Sequence, residues 1–438
     1  MTGLVASTKA WQNWGRSQRS TPKYLARATS VDEVVAVVLA AKAQGLRVKT
    51  VGAGHSFSAI AVADDIQLDI SALDGLYKVD GNRVTLGAGT NLYQLPALLD
   101  PLGLALTNMG DIDRQTIAGA TSTGTHGTGA GFGGLATQIV ALTLVTADGA
   151  VLHVSETENA ELLPAVRLGL GALGILVDVT IECVPSFLLN AVEKPEPLQE
   201  VLDNWIERTE AADHFEFYWF PHTDTALTKT NTRLPADAPK KLQNPFGRWF
   251  DDQLMSNYVY TATCALGTVM PAVIRPVNHL ADRLVAEREV TDRSYEVFAA
   301  PRTIKFKEME YALPVEHVPA ALRAINELIE SRGWRISFPV EVRVAPADDL
   351  WMSTANERDT AYIAVHLYRG TKDQGYFTEV EKIMTAHQGR PHWGKLHTRD
   401  AEYLAGVYPH FGEFTALRDK VDPERRFGND YLRRVLGA

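Results

Sequence analysis

The segment Thr116-Ile117-Ala118-Gly119-Ala120-Thr121-Ser122-Thr123-Gly124-Thr125-His126-Gly127-Thr128-Gly129 constrains this chain more than any other. It consists almost wholly of small residues, hydroxyls and glycines, so its backbone N–H groups can approach an anion closely and form nests around it. A second small-residue loop, Gly52-Ala53-Gly54-His55-Ser56, follows residues 47–51, which read as a strand. Two such loops in one N-terminal region suit a single diphosphate held between them. In the fingerprint G-x-G-x-x-G the third glycine packs a following helix onto the sheet. Here that place is taken by Phe57, and residues 67–71 beyond it read as another strand.

The surrounding pattern is one of alternating elements. Ser30, the early Asp32-Glu33 pair, the apolar period and Gly45 predict a helix over 31–43. Further strands are expected at 83–86 and in a hairpin, 139–146 with 151–154, turning at Asp148-Gly149. A second helix is expected over 92–99, and a glycine turn with a buried strand over 170–185. With 438 residues the chain exceeds the size at which single cores stop growing. After Pro185 aromatic and charged residues interleave, with Trp205, Trp219, Trp249, Trp334 and Trp351, and a helix is expected over 315–331. The expectation is an α+β fold of two domains: residues 1–185, then 186–395 covering them, with 396–438 returning to the first.

Several classes are excluded or disfavoured. A net charge of −10 argues against a nucleic-acid partner, which requires a basic face to neutralise phosphates. Cys183 and Cys264 stand far apart in apolar company, so both are expected as reduced core residues with no disulfide or metal role. Residues 1–18 carry no export signal, which leads to the expectation of a cytoplasmic protein. The longest charge-free stretch, 253–274, contains Asn257, Gly267 and Pro271 and is not expected to span a membrane. Peripheral contact with a membrane through it stays open.

Five ordered motifs then carry a resemblance: Val51 through Ser58, Leu68-Asp69-Ile70-Ser71, Gly87-Ala88-Gly89-Thr90, the 116–129 segment, and Gly171-Ala172-Leu173-Gly174-Ile175. Together they resemble the FAD-binding domain of the vanillyl-alcohol-oxidase type. The C-terminal half, with Glu341-Val342-Arg343, His392-Trp393-Gly394-Lys395, Asp422-Pro423 and Phe427-Gly428-Asn429-Asp430-Tyr431-Leu432, resembles the aldonolactone oxidoreductase branch of that family. The resemblance implies hydride transfer from a carbinol carbon of a sugar lactone, L-gulono-1,4-lactone or similar, to flavin N5. Oxygen, a quinone or a cytochrome would then take the electrons. It also implies FAD contacts from Val51, Gly52, Ala53, Gly54, His55, Ser56 and Ser58, from Gly110 and Asp111, and from Thr116, Gly119, Ala120, Ser122, Thr123, Gly124, His126 and Gly127. Gly174, Ile175 and Asn429 complete the set. His55 matches the histidine to which several members bond the flavin covalently, and a glycine at position 110 leans toward oxygen as acceptor. The alternatives are an alditol or decaprenylphosphoryl-ribose-type oxidase, and a noncatalytic flavin- or sugar-binding protein.

The residues themselves support such chemistry. Glu341 and Arg343 are two apart, which on a strand turns both to one face. An exposed pair of this kind contributes about 0–1 kcal/mol, but Phe338-Pro339-Val340 and Val344 around it point to a partly buried strand. A cation beside an alcohol favours its alkoxide, and the resemblance makes Arg343 and Lys395 the expected cations. Glu341 is expected to accept hydrogen bonds from lactone hydroxyls. His366, on the strand expected over 361–368, falls at the spacing where the resembled family places another substrate-facing side chain, a match of position only.

Overall fold

The computed structural model describes residues 3–243, 260–284, 286–300 and 303–438. Trp249 and the first part of the apolar stretch, 253–259, lie outside the described residues.

The helix Val31–Ala43 begins where its cap requires, the Ser30 hydroxyl accepting from Glu33 N with Asp32 and Glu33 in the first turn. It leads into the strand Val48–Thr50, at the edge of a four-stranded sheet, parallel to Ile66–Asp69. The loop Gly52 to Ser56 leaves the end of this edge strand. Beside it lies a five-stranded antiparallel sheet in the order Val151–Ser155, Ile139–Val145, Ile175–Glu182, Arg83–Gly87, Leu76–Asp80. The 92–99 helix is divided into a 3-10 turn, Leu92–Gln94, and an α-helical turn, Leu95–Leu99.

The 116–129 segment is only partly a loop. Thr116 accepts from Gly119 N and caps a short helix, Ile117–Thr123, which stops at Gly124 in the left-handed region, φ 78°. Small hydroxyl residues tolerate this helix because the Thr121 and Thr123 hydroxyls donate back to Ile117 O and Gly119 O, each at 2.9 Å.

The second unit is an eight-stranded antiparallel sheet. Its central order is His214–Trp219, Val340–Ala345, Thr360–Tyr368, Phe306–Pro314. Nearly every residue of these strands is buried, because both faces are covered. Phe215, Phe217, Val340, Val342, Val344, Ile363, Val365, Met309 and Tyr311 share one core with the helix Val318–Arg332. The alternate residues, Glu216, Glu341, Arg343, Tyr362, His366, Glu308 and Glu310, take the opposite face by the two-residue period of a strand. Leu404, Tyr408, Phe414 and Leu432 from the C-terminal helices join the core that holds Val84, Leu86, Ile139 and Leu142. Cys183 and Cys264 are buried and form no disulfide. Among the described residues no helix is long and apolar enough to cross a membrane; the helix Tyr260–Val269 leaves Val269 80% exposed.

Candidate active site

Two cavities meet between the sheets. One, of about 910 Å³, is walled by Gly52, Ala53, Gly54, Thr116, Gly119, Ser122, Gly171, Gly174 and Ile175, with Lys49. The other, of about 740 Å³, is lined by Trp14, Gly110, Asp111, His126, Glu308, Glu310, Glu341, Arg343, His366, His392 and Lys395. His55, Ser56, Gln115 and Thr123 line both, so the two form one elongated space with His55 at the join.

The first cavity has the build of a cofactor cradle. A Cβ on Gly52 would stand 2.5 Å from Thr116 Oγ1, and one on Gly119 3.0 Å from the same oxygen, so the two small-residue segments meet where side chains are absent. Gly54 has φ 71°, which favours glycine. An elongated space, backbone-walled at one end and charged at the other, has the form that suits a flavin dinucleotide. Gly52 to Ser56, Thr116, Gly119, Ser122, Gly174 and Ile175 would hold the diphosphate part there. Lys49 donates to Gly171 O at 3.2 Å and Phe427 O at 3.1 Å, and burial pushes its pKa down to about 7.

Six of the expected cofactor contacts do not line either cavity and support its walls instead. Val51 continues the strand backbone to Leu68 O, and Ala120 lies in the core. Ser58 donates to Trp393 O at 2.7 Å, and Gly124 ends the short helix. Gly127 lies against Met109 O, 2.2 Å from where its Cβ would be. Asn429 donates to Ala59, Ile60 and Val62 carbonyls and caps the helix Asp430–Leu436. These positions are fixed by backbone crossings that a linear motif does not distinguish from ligand contacts.

The second cavity is a wall of paired charges. Arg343 donates from Nε to Glu216 at 2.8 Å, contacts Glu341 through Nη2, and lies 3.5 Å from Asp111. Burial works against its charge, but Glu341, Asp111 and Glu216 outweigh it and hold the guanidinium protonated. Lys395 Nζ lies 2.5 Å from Glu308, and Glu308 and Glu310 likewise outweigh its burial. His126 stands 3.3 Å from Glu310 and His366 3.5 Å from Glu308. A ring nitrogen of His126, one of His392 and a Glu310 oxygen lie within 4.8 Å of one another.

At the join, His55 stacks on Trp14 with ring centroids 5.4 Å apart and planes at 22°. Burial, then the charges of Lys305, Lys395 and Arg114, press its pKa down to about 4 and leave the imidazole neutral at pH 7. Sequence reasoning missed Trp14, Glu216, Glu308 and Glu310. For the last two the sequence offers only Phe306-Lys307-Glu308-Met309-Glu310-Tyr311, a two-residue alternation of carboxylates that a solvated strand face would share.

Residues 179–435 match the family model of D-arabinono-1,4-lactone oxidase, and residues 22–155 match an FAD binding domain. The L-gulono-1,4-lactone dehydrogenase of Mycobacterium tuberculosis is 42% identical over 432 residues, covering 98% of this chain and 99% of that protein. The L-gulonolactone oxidase of Bos taurus is 36% identical over 435 residues, 97% of this chain and 98% of the relative. In fold, the chain is similar to the cholesterol oxidase of B. sterolicum, with TM-score 0.80, 19% identity, and 99% and 97% of the two chains covered. A chitooligosaccharide oxidase aligns with TM-score 0.72 at 11% identity, over 98% and 93% of the chains. With a buried, acid-rich wall facing a glycine-walled cradle, and with these relatives matching over nearly its whole length, this chain belongs to the D-arabinono-1,4-lactone oxidase family and carries that family's FAD-binding domain at its N-terminal end.

Proposed function

We propose that the protein oxidises an aldonolactone, L-gulono-1,4-lactone or a close relative, in an FAD-dependent reaction. The observation that carries this reading is the continuity of the two cavities at His55, which sets the Arg343 and Lys395 wall where the reactive end of a bound dinucleotide would lie. When bound, FAD supplies the acceptor for the hydride of the carbinol C–H bond.

The chain's own residues do the rest. Lys395 and Arg343 face the substrate space and favour the alkoxide form of the reacting hydroxyl, the state from which a hydride leaves most readily. Glu341, on the same strand face as Arg343, accepts hydrogen bonds from the lactone hydroxyls. His366 and His126 complete the wall around Glu308 and Glu310. The neutral His55 ring, held flat against Trp14, is suited to form the covalent bond to the flavin. Gly110 lines the cleft, and by the family resemblance a glycine at this position favours oxygen as acceptor.

The test is anaerobic bleaching of the yellow protein by L-gulono-1,4-lactone, followed by peroxide measurement after air is admitted. Yellow protein inert to lactones and alditols would leave a binding protein, and bleaching without peroxide would assign the electrons to a quinone or cytochrome.

A further inference from the structure

Two histidines of the wall are oriented by backbone carbonyls. His126 Nδ1 lies 2.9 Å from Gly127 O, and His366 Nδ1 lies 2.9 Å from Pro339 O. A carbonyl only accepts, so in both rings Nδ1 carries a hydrogen, and a neutral imidazole would present a bare Nε2. Each Nε2 nevertheless faces a carboxylate, Glu310 at 3.3 Å and Glu308 at 3.5 Å, and all four side chains are buried. Two acceptors held face to face in a buried wall repel unless a proton lies between them. His392 is the contrast. Its Nδ1 accepts from Gly394 N at 3.0 Å, its hydrogen therefore sits on Nε2, and burial presses its pKa down to about 4, so it needs no further proton.

The charge of the cleft points the same way. Its lining sets the carboxylates of Asp111, Glu308, Glu310 and Glu341 against the cations of Arg343 and Lys395. Both cations are already engaged by carboxylates. Burial pushes the Glu308 carboxyl upward, yet Lys395 and His366 outweigh it and bring it to about 2; Glu310 is held well below the usual range by His126 against the same burial. The groups facing His126 are Glu310, His392, Lys395 and the Tyr362 ring, stacked at 3.5 Å. Those facing His366 are Glu308, itself bonded to Lys395, and the rings of Phe306 and Phe338.

We infer that His126 with Glu310, and His366 with Glu308, each hold one proton between them, so that the cleft is electroneutral and selects an uncharged sugar lactone over the open-chain aldonate of the same sugar. The selectivity rests on the proposed function; the proton sharing does not. An aldonate carboxylate entering this cleft meets carboxylates, and cations that are already paired, which is discrimination by an unfavourable contact.

The holoprotein with 15N-labelled histidine rings tests the sharing directly. At pH 8 two imidazolium ring patterns are expected, one lost in Glu310→Gln and the other in Glu308→Gln. Neutral rings throughout the wild-type spectrum at that pH would overturn the inference without recourse to any variant. So would a stoichiometric metal ion, found by elemental analysis, bridging His126, Glu310 and His392. For selectivity, L-gulonate at about a hundredfold excess is expected to leave lactone-driven bleaching unchanged. Competition by the aldonate at equal concentration would refute the selectivity alone, and failure of the lactone itself to bleach the flavin would refute the proposed function while the ring spectra still stand or fall separately.

Discussion

Lys395 and Arg343 occupy the same cleft but differ in what holds them. Lys395 is a point charge paired with Glu308, with its ammonium 5.5 Å from the centre of the Phe57 ring. Lys395→Met is therefore expected to keep the yellow colour and lower the rate of flavin reduction by about a hundredfold or more, the scale seen when one charge-stabilising donor is removed. Rapid bleaching of that variant in a stopped-flow experiment would refute its role. Arg343 spans Glu216, Glu341 and Asp111 with one planar fork, which an ammonium does not reproduce. Arg343→Lys is expected to behave almost as a deletion, raising KM as well as lowering kcat. His55→Ala is expected to release its flavin into the supernatant on acid precipitation, where the parent keeps colour in the pellet; equal release from both proteins would exclude the covalent bond. That Glu341 and Arg343 share a strand face was legible from their spacing, and their place in the site from the resemblance. Glu308 and Glu310 were not, since a Glu-x-Glu strand reads equally as a solvated face until the opposite face is known to be covered.

At the level of elements, the two cradle segments depend on each other through one hydroxyl. Thr116 Oγ1 caps the helix Ile117–Thr123 by accepting from Gly119 N at 3.2 Å, and it stands where a Cβ on Gly52 would fall. Gly52→Ala is expected to displace Thr116 and lower flavin content in the purified protein, with the fold retained by circular dichroism. Thr116→Val removes the cap and is expected to cost about 1 kcal/mol in urea unfolding. Flavin content unaffected in Gly52→Ala would count against the cradle. The helix Val31–Ala43 and the 139–155 hairpin could be read locally because their caps and turn lie within a few residues of sequence. The helix inside the 116–129 segment escaped because glycine, threonine and serine disfavour helices on their own, and it is stabilised by back-bonded hydroxyls and burial that appear only in the folded chain.

For the molecule as a whole, buried histidines tie stability to pH. His55, His214 and His392 are each pressed from 6.5 to about 4, with burial as the leading cause. Between those values the unfolded chain binds protons that the native chain refuses, so stability falls as pH is lowered through this window. His397, pressed to about 3 by burial, adds to them, while Asp348, raised to about 6 by burial, and the protons inferred on His126 and His366 work the other way. Thermal melts at pH 7 and pH 5 are expected to show a lower Tm at pH 5. A higher Tm at pH 5 would contradict the neutral assignment of these rings. The sequence by itself determined the two small-residue cradles, the capped first helix, the hairpin and the strand periods, because each is set by neighbours within one turn or one pleat. Only the tertiary structure decided which buried charges meet: Glu216 with Arg343, Glu308 with Lys395, Glu310 with His126. Those pairs join positions far apart in the chain: Glu216 and Arg343 meet through the register of neighbouring strands, while Lys395 and His126 reach the strand carboxylates from loops, and a slip of one residue would turn Glu216, Glu308, Glu310 and Arg343 into the apolar core.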